Sequence, residues 1–323
     1  MSAHSSLFII IIIIIIIIII IIIIITTTIN HGSVYKFIEI FILDTFPSTE
    51  SHVMHVGFKN SSKGIKQGVL KLYDRRYAGR IRQVNGKATA PLVAADAAYL
   101  SFVRQGKMGV FRSALRHIYK IAPERPCAND FHHNQRYGGA EADGMAKFEA
   151  ATWYECDQRF NTELKAYKQL ESLQGSTIPR LYAHVRIPHD VIDQGARDDD
   201  AQWDEFLCVH GLLLEYIPGP KLKHFPTPSI ASDTLKAVIQ RAVDSICQIN
   251  KSGVLLEKSS NNVIVKDNND DNDSISVDSP EPFIVDFAEA VFKEDLHKIE
   301  IKQLPISDLL ATEDLHPRLQ LAY

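Results

Sequence analysis

The chain has 323 residues, of which 46% are apolar and 23% are charged, and its formal net charge is −4. This composition is typical of a globular protein, and the lack of a basic block argues against a nucleic-acid partner. The cysteines are scattered without paired spacing, which argues against a disulfide framework or zinc site and favours reduced thiols in an intracellular, cytoplasmic protein. They are Cys127, Cys156, Cys208 and Cys247. Only two of the thirteen histidines are adjacent, His132 and His133, and they lack partners at ligand spacing, so we interpret these two as surface loop residues.

Residues 7–25 form an unbroken apolar run of nineteen residues, and seventeen of them are consecutive isoleucines. The run is long enough to span a membrane core as a helix. A pure isoleucine run is also of low complexity, whereas natural spans mix several apolar residue types. Two interpretations stay open: residues 1–28 are a leader that is an artefact or disordered, or residues 7–25 anchor a single-pass membrane protein.

Alternating apolar residues predict three antiparallel strands after this run, at residues 34–43, 53–58 and 69–73. The third strand carries Lys71. The turn between the first two strands has no glycine and contains Pro47 and Glu50. A proline and a carboxylate at this place argue against a loop that wraps closely around phosphate groups.

Helical spacing follows in several segments. Residues 94–104, 109–119 and 146–157 predict helices, and residues 160–173 predict an amphipathic helix. Glu163 lies one residue from the apolar stripe of that last helix. Two further strands are predicted at residues 178–186 and 206–216, and the second ends in the turn Glu215-Tyr216-Ile217-Pro218-Gly219.

Residues 232–251 predict another amphipathic helix, and a polar loop and two short strands at residues 263–265 and 283–285 follow. Asn262 precedes the first short strand, and Asp286 ends the second. An amide oxygen and a carboxylate at neighbouring strand ends suit Mg²⁺. The acidic run between the strands, residues 267–281, predicts a solvated loop.

The order of residues from Glu257 to Phe287 resembles the phosphoryl-transfer loop of protein kinases. It consists of a carboxylate (Glu257), four residues, Asn262, a hairpin and then Asp286-Phe287. The chain looks most like divergent kinase-like proteins of filamentous fungi. The resemblance implies an α+β, two-lobed protein-kinase-like fold with a shortened C-lobe. It places the N-lobe at residues 29–217, with a helical insertion at about 75–158, and the C-lobe at residues 218–323.

The segment Glu-x-x-Ala-Tyr-x-x-Leu that begins at Glu163 resembles the αC region of this group. The resemblance implies that Glu163 pairs with Lys71 and holds it toward the α- and β-phosphates of ATP. It also implies that the backbone of Glu215 and Tyr216 binds the adenine edge.

For the polar loop and the hairpin that follows it, the resemblance implies that Asn262 and Asp286 hold Mg²⁺ and that Glu257 is the catalytic base. Leu255 stands where active kinases carry histidine, Glu257 is one methylene longer than the usual aspartate, and an alternative register puts Lys258 at the base position. Only 35 residues follow Ala288, without an activation segment.

These departures leave three expectations open. The first is a phosphotransferase that uses ATP and Mg²⁺, with weakened or lost activity. The second is a non-catalytic pseudokinase that needs no cofactor and binds a partner. The third is a small-molecule kinase of the aminoglycoside-phosphotransferase type. A nucleotide and a protein are both open as partners, and a membrane is one only if the isoleucine run is an anchor.

Overall fold

The computed structural model describes residues 20–29, 32–46, 51–60, 64–79, 81–84, 87–88, 93–121, 144–187, 202–225, 232–256, 261–266 and 280–296. Helices and strands both contribute to these residues, so the protein is of the mixed α+β class, as predicted. Three sequence predictions fall outside the described residues: the candidate base Glu257, Pro47 and Glu50 of the turn without glycine, and most of the acidic run.

The described elements are listed here in chain order: β1 (Ile20–Ile29), β2 (Gly32–Phe46), β3 (His52–Asn60), β4 (Gly64–Tyr73), β5 (Gln83–Val84), β6 (Lys87–Ala88), α1 (Val93–Arg104), α2 (Lys107–Ile121), α3 (Gly144–Gln169), β7 (Leu181–Ile187), α4 (Asp204–Leu207), β8 (Val209–Glu215), α5 (Ser232–Lys251), β9 (Val254–Leu255), β10 (Val263–Lys266), β11 (Glu281–Ile284) and β12 (Val291–Phe292). Single turns of 3-10 helix lie at Arg75–Tyr77, Glu171–Leu173 and Leu222–His224.

Six strands form the main sheet in the order β1-β2-β3-β4-β8-β7, and β7 pairs back with β1. The ladders from β7 through β1, β2 and β3 to β4 are antiparallel. Alternate residues of β2–β4, β7 and β8 pack into one apolar core, as the period of two predicts. Its buried members are Ile40, Met54, Val56, Phe58, Leu70, Leu72, Ala183, Val185, Ile187, Val209 and Leu213.

The second part of the isoleucine run is a strand. Ile20–Ile29 pairs with β2 over its whole length, from Ile20 opposite Phe41 to Ile29 opposite Gly32. Isoleucine is β-branched and favours extended backbone, so residues 20–25 are not part of the helix that an anchor through residues 7–25 requires. Residues 7–19 lie outside the described part of the chain. Among the described helices, none is long and apolar enough to cross a membrane.

Helix α3 differs from its prediction. The sequence predicts two helices, at residues 146–157 and 160–173, whereas Gly144–Gln169 is one continuous helix. Neither glycine nor proline occurs between residues 145 and 169, so nothing interrupts the hydrogen-bond ladder at the predicted break. The strand predicted at residues 206–216 begins later, because Asp204–Leu207 forms the short helix α4.

The chain divides into two compact units. The first comprises Met1–Phe160 and Tyr182–Leu214, and the second comprises Asn161–Leu181 and Glu215–Tyr323. The boundary in α3 therefore falls between Phe160 and Asn161. The main sheet, α1, α2 and the first part of α3 belong to the first unit.

A buried ion cluster holds the segment after β4 in the first unit. Glu149 of α3 is fully buried and accepts hydrogen bonds from Arg75 at 2.6 Å and from Arg82 at 2.7 and 2.8 Å. Arg75 also contacts Asp96 of α1 and lies over the ring of Tyr99 at 4.0 Å. Buried guanidinium groups need such partners, because isolated charges are strongly disfavoured in the interior. The cluster thus ties α1 and α3 to the end of β4.

The second unit consists of α5, the hairpin β10–β11, the pair β9–β12 and the last turns of α3. Val238 of α5, Val265 of β10 and Phe225 form its apolar cluster, and Leu222 and Leu235 pack against it. The end of α3 is tied to this unit by Lys165, which pairs with Glu294 and Asp295 at 2.7 and 3.0 Å. The amphipathic pattern of residues 232–251 correctly predicts α5.

Candidate functional site

The hairpin β10–β11 in the second unit brings two predicted metal ligands to one end. Its register puts Val263 opposite Ile284 and Lys266 opposite Glu281. The Val285 N–H continues the ladder by donating to the Asn262 carbonyl oxygen at 2.8 Å. Asp286 follows directly after Val285, so Asn262 and Asp286 lie together where the strands end. The sequence predicted this juxtaposition, because antiparallel pairing aligns the start of one strand with the end of the other.

Asp286 has an unusual backbone conformation. Its φ of 68° lies in the left-handed region, and it is the one residue other than glycine with positive φ in the described part of the chain. Aspartate tolerates this region better than most residues because its short side chain bonds locally. Here the Ala288 N–H donates to Asp286 Oδ1 at 3.4 Å. The turn redirects the chain after β11 and leaves Asp286 exposed.

The last turns of α3 supply a carboxylate and an aromatic group to the same unit. Glu163 and Tyr167 are both fully buried, and they lie four residues apart, on one helix face. The Tyr167 ring packs edge-on against Phe287, with the ring centroids 5.4 Å apart. Because Phe287 is the next residue after Asp286, this contact fixes the hairpin end against α3.

Three carboxylates act on the pKa of Tyr167. Burial raises the pKa of the Tyr167 hydroxyl well above its ordinary value, and the negative charges of Glu163, Asp286 and Glu215 raise it further. These carboxylates come from α3, the end of β11 and the end of β8. Three of the predicted site residues in the second unit therefore act electrostatically on one buried tyrosine.

Glu215 has defined partners of its own. Its carboxylate accepts hydrogen bonds from Arg180, at 3.0 Å from the backbone N–H and 2.7 Å from the guanidinium. Its own N–H donates to the Arg180 carbonyl oxygen at 2.8 Å. Tyr216 follows as a half-buried residue outside regular structure. The Glu215 N–H therefore already has an acceptor, and the binding of an adenine edge by the backbone of Glu215 and Tyr216 stays a prediction.

Lys71 lies in the first unit. It is on β4 opposite Val53, is 7% exposed, and its ammonium lies 5.5 Å from the centre of the Tyr73 ring. Gly211 of β8 passes close by, since a Cβ added there would lie 2.7 Å from the Lys71 carbonyl oxygen. The pairing of Lys71 with Glu163 stays a prediction, as does the role of Glu257, which lies outside the described residues.

The hairpin end suits a cation that is shared with a phosphate ligand. Mg²⁺ in proteins commonly takes one or two protein oxygens and completes its shell with water and substrate phosphates. Asn262 and exposed Asp286 offer such a pair. Across the described residues, no group of three or more His, Cys, Asp or Glu could hold a metal ion.

A scan against protein-family models finds no match for this chain, and a search of curated proteins finds no similar sequence. The kinase-like resemblance therefore rests on the residues and motifs of the chain itself.

Two groups of polar residues were missed by reasoning from the sequence. The first is Tyr167, whose pKa is raised by three of the predicted site carboxylates. The second is the pair His184 and His210, which lie in paired strands with ring nitrogens 3.0 Å apart, and Cys208 Sγ is 3.3 Å from His210. The sequence carried one signal for this pair: each histidine alternates with apolar residues along a predicted strand.

Proposed function

We propose that this chain is a divergent protein-kinase-like protein with the two-lobed fold, which binds ATP with Mg²⁺ at the end of the β10–β11 hairpin. The observation that supports the proposal most is the alignment of Asn262 with Asp286 at that end. Asn262 and Asp286 would hold Mg²⁺, which would neutralise charge on the nucleotide phosphates. The role of Lys71 at the phosphates stays a prediction of the kinase-like resemblance.

Glu163 and Tyr167 support the same site from α3. Glu163 is a fully buried carboxylate that acts on the pKa of Tyr167 together with Asp286. A carboxylate held in this way is suited to orient a lysine ammonium, because a charged acceptor strengthens the hydrogen bond. The contact of Tyr167 with Phe287 would keep Asp286 at a fixed distance from the helix.

Phosphoryl transfer is the weaker part of the proposal. Leu255 lies in β9 opposite Val291 and brings an apolar side chain where the resembled loop carries histidine. Glu257 would serve as base with a side chain one methylene longer than aspartate, and a misplacement of about 1 Å costs on the order of a hundredfold in rate. Nucleotide binding with slow or absent transfer, as in a pseudokinase, is therefore the second candidate function.

The proposal is tested with the full chain by thermal shift and isothermal titration calorimetry, using ATP with Mg²⁺ and ATP with a chelator. We expect Mg²⁺-dependent binding that is lost in Asp286→Asn. Asp233→Asn is the matched control, because Asp233 is an exposed carboxylate of α5 in the same unit. A folded wild-type chain that shows no Mg²⁺-dependent shift at millimolar ATP would rule out the nucleotide site.

Turnover separates the two candidate functions. The turnover of ATP is measured over hours, with the same preparation, as the release of labelled phosphate. This release should be slow in the wild-type chain and absent in Asp286→Asn. Binding without any release identifies a pseudokinase. Release that is equal in wild-type protein and Asp286→Asn would contradict the assignment of the metal site to the hairpin end.

A further inference from the structure

Three side chains form a hydrogen-bonded relay in the first unit, and none of them is among the predicted kinase-like site residues. Cys208 precedes β8, and its Sγ lies 3.3 Å from Nε2 of His210. The other ring nitrogen of His210, Nδ1, lies 3.0 Å from Nε2 of His184 on β7. The Phe160 ring of α3 covers both imidazoles, with centroids 4.9 Å from His210 and 4.7 Å from His184. We call these three residues the Cys208 relay.

The distances in the relay allow two assignments of protons, and one of them suits proton transfer from the thiol. In that assignment the thiol donates to Nε2 of His210, the Nδ1–H of His210 donates to His184, and His184 accepts at Nε2. Both ring nitrogens of His210 point at different partners, so the three side chains do not converge on a single point where a metal could bind. The arrangement instead matches a nucleophile, a base, and a third group that orients the base.

The thiol also lies on the wall of a cavity. Cys208 lines a space of about 100 Å³ together with Tyr73, Arg75, Tyr99 and Trp153. This volume suits only a very small ligand, because one water molecule takes up about 30 Å³ of liquid. Cys208 itself is 4% exposed, so a reagent reaches its sulfur through this cavity or not at all.

We propose that Cys208 is a peroxide-reactive thiol, that His210 takes its proton, and that His184 is a positioning residue which holds His210 in the required tautomer. The oxidant is a small hydroperoxide that enters the cavity. The Arg186 guanidinium, which pairs with Asp204 and lowers the pKa of the thiol, stabilises the negative charge that develops on sulfur.

The reaction balances with hydrogen peroxide as the only co-reactant. As the S–H proton moves to Nε2 of His210, the sulfur electron pair attacks one peroxide oxygen and an S–O bond forms. The O–O bond breaks, and the leaving hydroxide takes the proton back from His210 as water. Cysteine is oxidised to sulfenic acid, and the peroxide is reduced to water.

The protonation states at rest make the proposal distinguishable from ordinary thiolate chemistry. Burial raises the pKa of the Cys208 thiol, Arg186 opposes this rise, and Asp157 of α3 adds to it. Burial, with His184 and Arg186, lowers the pKa of His210 to about 4. Tyr99 of α1 also faces the thiol, and its own raised pKa keeps it neutral. The resting pair is therefore a neutral thiol beside a neutral base.

A neutral thiol beside a neutral imidazole predicts an oxidation rate that changes little with pH. A free thiol reacts only through its thiolate, so its rate rises about tenfold per pH unit below its pKa. General-base transfer to His210 needs only a neutral imidazole, which is present throughout the range above its pKa. The oxidation rate of Cys208 should accordingly change by no more than about threefold between pH 5.5 and 8.

The experiment exposes the reduced full chain to hydrogen peroxide for a set time, removes the peroxide with catalase, and then unfolds the chain in urea with dimedone, which traps sulfenic acid at every cysteine. Peptide mass spectrometry then measures the label at each cysteine. Free N-acetylcysteine in the same solution is the reference for ordinary thiolate behaviour, and Cys156, 2% exposed, is the reference for burial. We expect labelling of Cys208 with a flat pH profile, labelling of the free thiol that rises with pH, and little labelling of Cys156.

The variants assign the base. In His210→Phe the rate at Cys208 should fall by about a hundredfold at pH 7 and regain a tenfold rise per pH unit, while the free thiol is unchanged. His184→Phe should give a smaller fall and an altered pH profile. If circular dichroism shows that a variant is unfolded, the wild-type profile still decides. A tenfold rise per pH unit at Cys208 in the wild-type chain, or equal labelling of Cys208 and Cys156, overturns the proposal.

Discussion

The hydrogen bond from the Val285 N–H to the Asn262 carbonyl oxygen, 2.8 Å long, sets Asn262 beside the residue that precedes Asp286. One backbone contact therefore aligns both candidate metal ligands. The alignment depends on the ladder between β10 and β11 and not on either side chain. Substitution of Asn262 or Asp286 should thus change cation binding without shifting the register of the hairpin.

The left-handed backbone at Asp286 predicts a difference between two substitutions. Asp286→Gly accepts a φ of 68° without a steric penalty, whereas Asp286→Ala forces a Cβ into that region. Asp286→Gly should be more stable than Asp286→Ala by about 1 kcal/mol. Urea denaturation of both variants measures the difference, and equal unfolding midpoints would contradict the strain at this position. Neither variant should bind Mg²⁺-ATP.

Two buried tyrosines should respond in opposite ways to loss of the hydroxyl. Tyr167 Oη has no hydrogen-bond partner among the described residues, whereas the Tyr99 hydroxyl donates to the Phe206 carbonyl oxygen at 2.7 Å. Tyr167→Phe should leave stability unchanged or raise it by about 1 kcal/mol, and Tyr99→Phe should lower it by about 1 kcal/mol. The free energies of unfolding of the two variants check this. A loss in Tyr167→Phe as large as that in Tyr99→Phe would show that its hydroxyl has a partner.

Glu149 should contribute far more to stability than a carboxylate in a surface pair. Glu149→Gln leaves Arg75 and Arg82 buried without full charge compensation and should cost about 3–5 kcal/mol. Glu39→Gln removes the exposed pair with Lys59, 2.7 Å long, and should cost less than about 1 kcal/mol. Denaturant titration of both variants gives the comparison. If Glu149→Gln lowers the free energy of unfolding only slightly, water reaches the buried cluster of Glu149, Arg75 and Arg82.

His210 should make the folded state sensitive to mild acid. Its pKa is about 4 in the folded protein, below the ordinary value of 6.5, so the unfolded chain takes up a proton first as the pH falls. The stability contribution of His210 is therefore fully present above pH 6.5 and decreases as the pH falls toward 4. One pKa unit corresponds to about 1.4 kcal/mol, so the loss is on the order of 3 kcal/mol.

The comparison of wild-type protein with His210→Phe isolates this effect. The unfolding free energy of both is measured by urea titration between pH 4 and 7. The wild-type curve should fall more steeply with acid than that of the variant, because phenylalanine cannot be protonated. Parallel curves would show that His210 takes up its proton equally well in the folded state.

The sequence alone determined the local elements, because these depend on the periodicity of apolar residues. The period of two predicted β2–β4, the period of 3.6 predicted α5, and short apolar runs beside Asn262 and Asp286 predicted the hairpin that aligns them. The mixed α+β class followed from these elements. In each case, neighbouring residues carry the signal.

Only the tertiary structure decided which distant residues meet. The contact of Cys208 and His210 with His184, the binding of Glu149 by Arg75 and Arg82, and the electrostatic action of three carboxylates on Tyr167 join segments far apart in the chain. Strand order and helix packing bring these groups together, and burial then sets their pKa values. No local pattern encodes such distances, which is why reasoning from the sequence missed the contacts of His184, His210 and Tyr167.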